Sequence, residues 1–212
     1  MYRSLCDFMA RSFLSRAAPT VRCLITSVIL IFLSLSVGTL IVWLILHPQP
    51  PNFHVTSFSI SNFTLSHNIA VRANYKIDFV VKNPNWKINL WVYYSNVSVK
   101  YKRIEVSRGW FQRFPLPKRG RAEKSIRLEM DANNMRRDGA AEMGLEYLSR
   151  KEVVYDVEVY GWATLRAGKW ISEGRMLKVE CKNLKVVFSG KFDMAVGELR
   201  NDQVAACSTV FI

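Results

Sequence analysis

Residues 69–82 read IAVRANYKIDFVVK. Ile69, Val71, Ala73, Tyr75, Ile77, Phe79 and Val81 recur at every second position, and Arg72, Asn74, Lys76, Asp78 and Lys82 fall between them. Successive side chains of a strand point to opposite faces, so this alternation describes one buried and one wetted face. A helix would scatter the same charges all round. Asn83-Pro84-Asn85 follows and stops the strand, since proline lacks the ladder donor and asparagine closes turns with its own side chain.

The pattern extends on both sides. Upstream, Phe58 and Ile60 alternate with Ser57, Ser59 and Ser61. Downstream, one strand is expected over 87–94 and another from Val97 through Val99 and Tyr101 towards Val106, punctuated at Arg108-Gly109. Residues 110–121 read as a long loop or edge segment. Ile126, Leu128 and Met130 alternate, and 138–151 is expected as a short helix despite Gly139 and Gly144. Tyr155, Val157, Val159, Gly161, Ala163 and Leu165 mark a long strand, with a hairpin turn at Gly168. Leu177, Val179 and Cys181, then Val186 and Phe188, complete the series. Seven or eight strands with little helix define an all-β, fibronectin-like or immunoglobulin-like sandwich over residues 53–190. Residues 191–212 are weakly patterned and expected as a loose C-terminal tail.

Ahead of this domain, Cys23 to Leu46 is a run of 24 residues without Asp, Glu, Lys, Arg, His or Pro. At about 1.5 Å per residue it reaches roughly 36 Å, enough to span a hydrocarbon core of about 30 Å with some tilt. Residues 1–22 carry Arg3, Arg11, Arg16 and Arg22 against Asp7. Positive charge beside a first span holds that flank in the cytoplasm, so the tail is expected inside and the domain outside. The run exceeds a signal-peptide core, and no small-residue cleavage pattern follows it, so an uncleaved signal-anchor is expected. A mitochondrial presequence, with an inner-membrane address, is the alternative raised by the arginine- and serine-bearing tail. Residues 47–52, containing Pro48, Pro50 and Pro51, read as a stiff extended stalk. Ser34, Ser36 and Gly38 offer a small-residue helix face, and the oligomeric state stays open.

The order of these features resembles the plant harpin-induced-like family, which carries a late-embryogenesis-abundant group 2 domain. The resemblance lies in Pro48 to Phe58 after the apolar run, in Asn83-Pro84-Asn85-Trp86-Lys87-Ile88, and in Tyr93-Tyr94 followed by Val97, Val99 and Tyr101. Trp110-Phe111-Gln112 is similar to the family's Pro-Phe-Tyr-Gln stretch, and Cys181 to its late cysteine-bearing strand. The resemblance implies a seven-stranded sandwich, a plasma-membrane address, a part in defence and stress responses, and no catalytic residues. The Gly-His-Lys that often follows the aromatic stretch and the Asn-Gly-Asp adhesion tripeptide of the family's best-known member are both absent here.

Signatures of chemistry are sparse. No P-loop, nucleophile elbow, dinucleotide fingerprint or zinc-protease helix occurs, and His47, His54 and His67 have no metal-ligand spacing. A non-enzymatic protein without cofactor or metal is expected. Cys181 and Cys207 either form a bridge in an oxidising compartment or stay apart, one buried and one free. Asn62-Phe63-Thr64 and Asn96-Val97-Ser98 are glycosylation sequons. The net charge is +13, of which the domain side holds about ten. Lys100, Lys102 and Arg103 with Lys118, Arg119 and Arg121 form a candidate anionic-partner patch. Nucleic acid is excluded by the membrane anchor. Protein partners, acidic wall glycan or lipid head groups are the expected classes, and a membrane-tethered lipid- or glycan-binding module is the alternative function. A long apolar groove would favour lipid, and a filled core would favour protein contacts.

Overall fold

The structure, a computed structural model, describes residues 19–46, 48–66, 69–130, 137–190, 195–200 and 205–212. Most of the positively charged tail, together with His47 and His67, lies outside the described residues. The chain divides into two compact units that part at His47 and Pro48.

The first unit contains helix α1, Pro19–Leu46. It begins four residues ahead of the uncharged run. Its Cys23–Trp43 portion is long and apolar enough to cross a membrane. Three of the hydroxyls within it bond back to the helix: Thr26 Oγ1 donates to the Cys23 carbonyl at 3.0 Å, Ser34 Oγ to Ile31 at 2.8 Å and Thr39 Oγ1 to Leu35 at 2.8 Å. Back-bonding of this kind gives each of those three donors a partner in an apolar medium.

Among the described residues, the second unit is built from antiparallel strands and one helix. In chain order these are β1 (Asn52–Ser66), β2 (Ile69–Lys82), β3 (Asn89–Tyr101), β4 (Ile104–Phe111), β5 (Phe114–Leu116), β6 (Arg121–Glu129), α2 (Arg137–Arg150), β7 (Glu152–Ala167), β8 (Trp170–Ile171), β9 (Arg175–Ser189), β10 (Ala195–Leu199), β11 (Ala205–Ala206) and β12 (Ser208–Phe211). The main ladder runs β4-β3-β7-β9-β10-β1-β2-β6, and β5, β8, β11 and β12 pair at its margins. It rolls over until its two ends meet. There Ser107 Oγ of β4 donates to the Glu129 carbonyl of β6 at 2.6 Å, and Gly109 faces Leu128 so closely that a Cβ would lie 2.2 Å from its Cδ2.

The core lies between the two halves of the roll. Tyr155 of β7 meets Phe58 of β1 at 5.6 Å between ring centroids, Tyr75 of β2 at 5.7 Å and Tyr101 of β3 at 6.3 Å. One end is plugged by α2, whose Tyr147 packs between Phe63 and Phe188 at 5.0 and 5.1 Å. Every inward position of the 69–82 alternation whose side chain is described is buried.

Several expectations change. The strands expected over 87–94 and 97–106 are one strand as far as Tyr101, interrupted by a bulge between Tyr93 and Asn96. Tyr94 stands there in the left-handed region (φ 40°), and Gly161 on β7 makes room for Ser95 beneath it, since a Cβ would lie 2.5 Å from Ser95 Oγ. The strand stops short of Val106 because Lys102 and Arg103 form a left-handed hairpin turn (φ 43° and 73°). Residues 110–121 are the end of β4, the short β5 and a turn rather than a long loop. The 191–212 segment is no loose tail in its described parts. It supplies β10, the strand that links β9 to β1, along with β11 and β12. The stalk reading fails from Pro48 onward, because Gln49 is hydrogen-bonded into the domain and Pro51 is buried.

Candidate functional site

The Asn83-Pro84-Asn85 motif ties one end of the sandwich together. Asn83 is 3% exposed, and its Nδ2 lies within reach of the carbonyls of Ile88 (2.8 Å), Leu116 (3.2 Å) and Pro117 (3.0 Å). Its Oδ1 accepts from the backbone N of Asn85 at 3.0 Å and from Asn85 Nδ2 at 2.9 Å. Asn85 then holds the incoming chain: Nδ2 donates to the Gln49 carbonyl at 2.7 Å, and Oδ1 accepts from Gln49 N at 2.9 Å. Buried amides need all of these partners, and here each has them. The motif's role in this chain is therefore structural. Its consequence is positional, because it fixes the 83–88 loop, the 117–120 turn and the chain entering from α1 at one edge.

The six basic residues read as one patch do not form one. Lys118 N bonds to Asn89 Oδ1 at the start of β3, whereas Lys100, Lys102 and Arg103 sit at its end. Eleven residues of strand at about 3.3 Å each put the two groups roughly 35 Å apart. The far group is also largely neutralised. Lys100 pairs with Glu158 at 2.6 Å and Lys102 with Glu142 at 2.7 Å. At the near end Arg121 pairs with its strand neighbour Glu123, while Lys118 and Arg119 are exposed in the turn.

The two sequons differ in access. Asn62 is exposed, at a β1 irregularity with φ 53°. It borders an open cleft of about 500 Å³ with Thr64, Arg72, Asn74 and Glu129. Asn96 lies on an interior strand, flanked by Trp110 on β4 and Tyr160 on β7, and its Oδ1 is buried without a hydrogen-bond partner among the described residues. Cys181 and Cys207 are brought together as a disulfide with Cα atoms 4.3 Å apart, which clasps β12 to β9. Of the Tyr pair, Tyr93 stacks on Trp91 along β3, and Tyr94 is 79% exposed on the bulge. His54 lies on β1, and among the described residues no group of three His, Cys, Asp or Glu could hold a metal ion.

Charge on the outer face of β9 is organised around Glu180. Lys178 at 2.6 Å and Lys182 at 2.7 Å hold its carboxylate down to about 2, chiefly by hydrogen bonding. In the core, burial pushes the Tyr75 and Tyr155 hydroxyls well above the usual phenol range. Tyr101 is raised by burial and then by Glu146, to which it donates at 2.7 Å. Two further open clefts occur: one of about 420 Å³ lies between β2 and β6 and includes Asp78 and Lys124, and one of about 410 Å³ lies beside Ser59 and Glu198. Sequence reasoning missed the exposed Trp86, Trp162 and Trp170. The alternation of β7 puts Trp162 on the face opposite Gly161 and Ala163, whereas Trp86 and Trp170 lie in a loop and beyond a turn, where no period assigns a face.

Comparison with known proteins gives one informative match. Over 66 residues the chain is 38% identical to NDR1/HIN1-like protein 3 of Arabidopsis thaliana. That match supports a distant relationship to the NDR1/HIN1-like proteins. The match covers 31% of this chain and 28% of that protein. No protein-family model matches. A solved protein from Archaeoglobus fulgidus aligns over 59% of this chain and 94% of its own at 9% identity and a TM-score of 0.30, too slight a likeness to support any conclusion. Separately, the length and composition of α1 fit membrane anchoring.

Proposed function

We propose that this is a single-pass plasma-membrane protein of the late-embryogenesis-abundant group 2 type. In this reading α1 is the span, the N-terminus is cytoplasmic and the β-domain is exterior. The domain acts without catalysis, by binding protein partners in plant defence or stress responses. The observation that carries the reading is the pairing of an uncharged helix of membrane length with a domain clasped by the Cys181–Cys207 disulfide, a bond that persists in oxidising compartments. Arginines ahead of α1 support the orientation, and exposed Asn62 supports passage through the secretory route. The core is rich in buried aromatic side chains, and the cleft beside Asn62 is open and lined largely by polar side chains, which favours contacts made by the surface over a ligand held inside.

The test is a glycosidase mobility shift combined with protease protection on intact plant cells. A shift lost with Asn62→Gln, together with digestion of the domain from outside, is the expected result. Full protection with no shift overturns the exterior orientation and turns attention to the mitochondrial or inverted alternative. A second reading, binding of phosphate-bearing lipid head groups, is favoured by the unbalanced positive charge at the Asn85 end.

A further inference from the structure

The edge that holds Gln49 and Asn85 gathers side chains from segments far apart in sequence. Lys82 is in register with both Asn52 and Arg121, and Asn89 with Arg166. Segments 82–87, 117–123 and 166–175 therefore share this edge. They hold eight basic residues, Lys87, Lys118, Arg119 and Lys169 among them, against Glu123 and Glu173. The same segments expose large apolar groups: Trp86 is 54% exposed, Trp170 54% and Ile171 60%. Lys87 Nζ rests 4.3 Å from the centre of the Trp86 ring. The opposite edge is different. Its charges are mixed and matched, with Lys102 bound to Glu142 and Arg200 to Glu152.

Tryptophan together with lysine and arginine is the composition of a membrane–water boundary. The indole seats its apolar body at the head-group level, and long cationic side chains reach the phosphates. Sequence connectivity supplies the second argument. Leu46 ends α1, and Pro48 opens the domain whose next residue is pinned to Asn85. Two peptide units reach at most about 8 Å. This edge is thus tethered to the membrane by covalent length.

We infer that the Asn85 edge of the domain lies on the bilayer surface, with Trp86 and Trp170-Ile171 in the head-group boundary and Lys87, Lys118, Arg119 and Lys169 on lipid phosphates. The inference rests on α1 spanning that bilayer. It leaves the bulge at Tyr94 and the α2 end facing away for partners.

The test uses the full chain reconstituted into vesicles of phosphatidylcholine with a minority of phosphatidylglycerol. Part of the phosphatidylcholine is brominated near the head group to quench nearby tryptophans. Of six tryptophans, Trp43 reports α1, and Trp110, about seven residues or roughly 20 Å further along the strands, reports the domain away from the edge. The Trp86→Phe/Trp170→Phe variant is expected to lose roughly half of the quenched emission, with Trp43 and Trp91, two residues along β3 from Asn89, supplying the rest, and Trp110→Phe to lose none. Lys118→Glu/Arg119→Glu should lower the quenching at low salt. An unchanged quenched component in the double Phe variant, with Trp43 still quenched, overturns the inference while leaving the anchor intact. Loss of all quenching, Trp43 included, overturns the anchor and this inference together. Quenching that ignores the charge reversal overturns the phosphate contacts.

Discussion

Tyr75 and Tyr101 carry the same hydroxyl in one core and should respond oppositely to its removal. Tyr101 donates to Glu146, whereas the Tyr75 hydroxyl faces Tyr155 without a well-formed hydrogen bond among the described residues. Tyr101→Phe strands a carboxylate oxygen and should cost about 1–3 kcal/mol, while Tyr75→Phe should be neutral or stabilising by about 1 kcal/mol. Chemical denaturation of both variants checks the contrast. Glu180 sets an acid dependence. Its carboxyl is depressed from 4.5 to about 2 by Lys178 and Lys182, so its contribution is complete above pH 4.5 and lost as pH falls towards 2. Glu180→Gln should flatten the acid limb of the stability curve in that window. The flattening should be modest and smaller in high salt, because both lysines are solvated.

The clasp between β9 and β12 and the knot at Asn83 hold elements that hydrophobic alternation alone would leave loose. The disulfide closes a separation of 26 residues. Chain-entropy arguments assign such a loop about 3.5 kcal/mol, so Cys181→Ala/Cys207→Ala should lower unfolding stability by roughly that amount. Limited proteolysis should then cut first within the C-terminal strands. Asn83→Ala removes the side chain that binds Ile88, Leu116 and Pro117 and leaves buried carbonyls unmet. A loss of about 2–4 kcal/mol is expected, with hydrogen exchange rising in the 83–88 loop and the 117–120 turn. Gly161→Ala would press on Ser95 and should straighten or destabilise the bulge that presents Tyr94.

Taken together, the domain has two unlike ends: a basic, tryptophan-bearing edge where the chain arrives from α1, and a charge-matched end closed by α2. If the domain enters the secretory route, one glycan rather than two is the expected modification. Asn62 is open, whereas Asn96 is walled by Trp110 and Tyr160 on an interior strand. Intact-mass measurement on protein from plant cells should show one occupied site. Thr64→Ala, which spares the backbone at Asn62, should remove it, and Ser98→Ala should not.

Local pattern carried much of this protein into view. Alternation in 69–82 identifies β2 because burial with period two needs no partner to be recognised, and the charge-free run identifies α1 because composition alone decides its solvent. The helix over 137–150 and the turn at Gly168 were legible for similar local reasons. What the tertiary structure decided is non-local. The C-terminal residues pair as strands because β9 and β1 leave ladder donors between them, which no pattern within 191–212 announces. The single basic patch dissolved because β3 separates its halves by its own length. The edge joining Lys82, Lys118 and Trp170 exists only through register, which depends on pairing between strands rather than on any one of them.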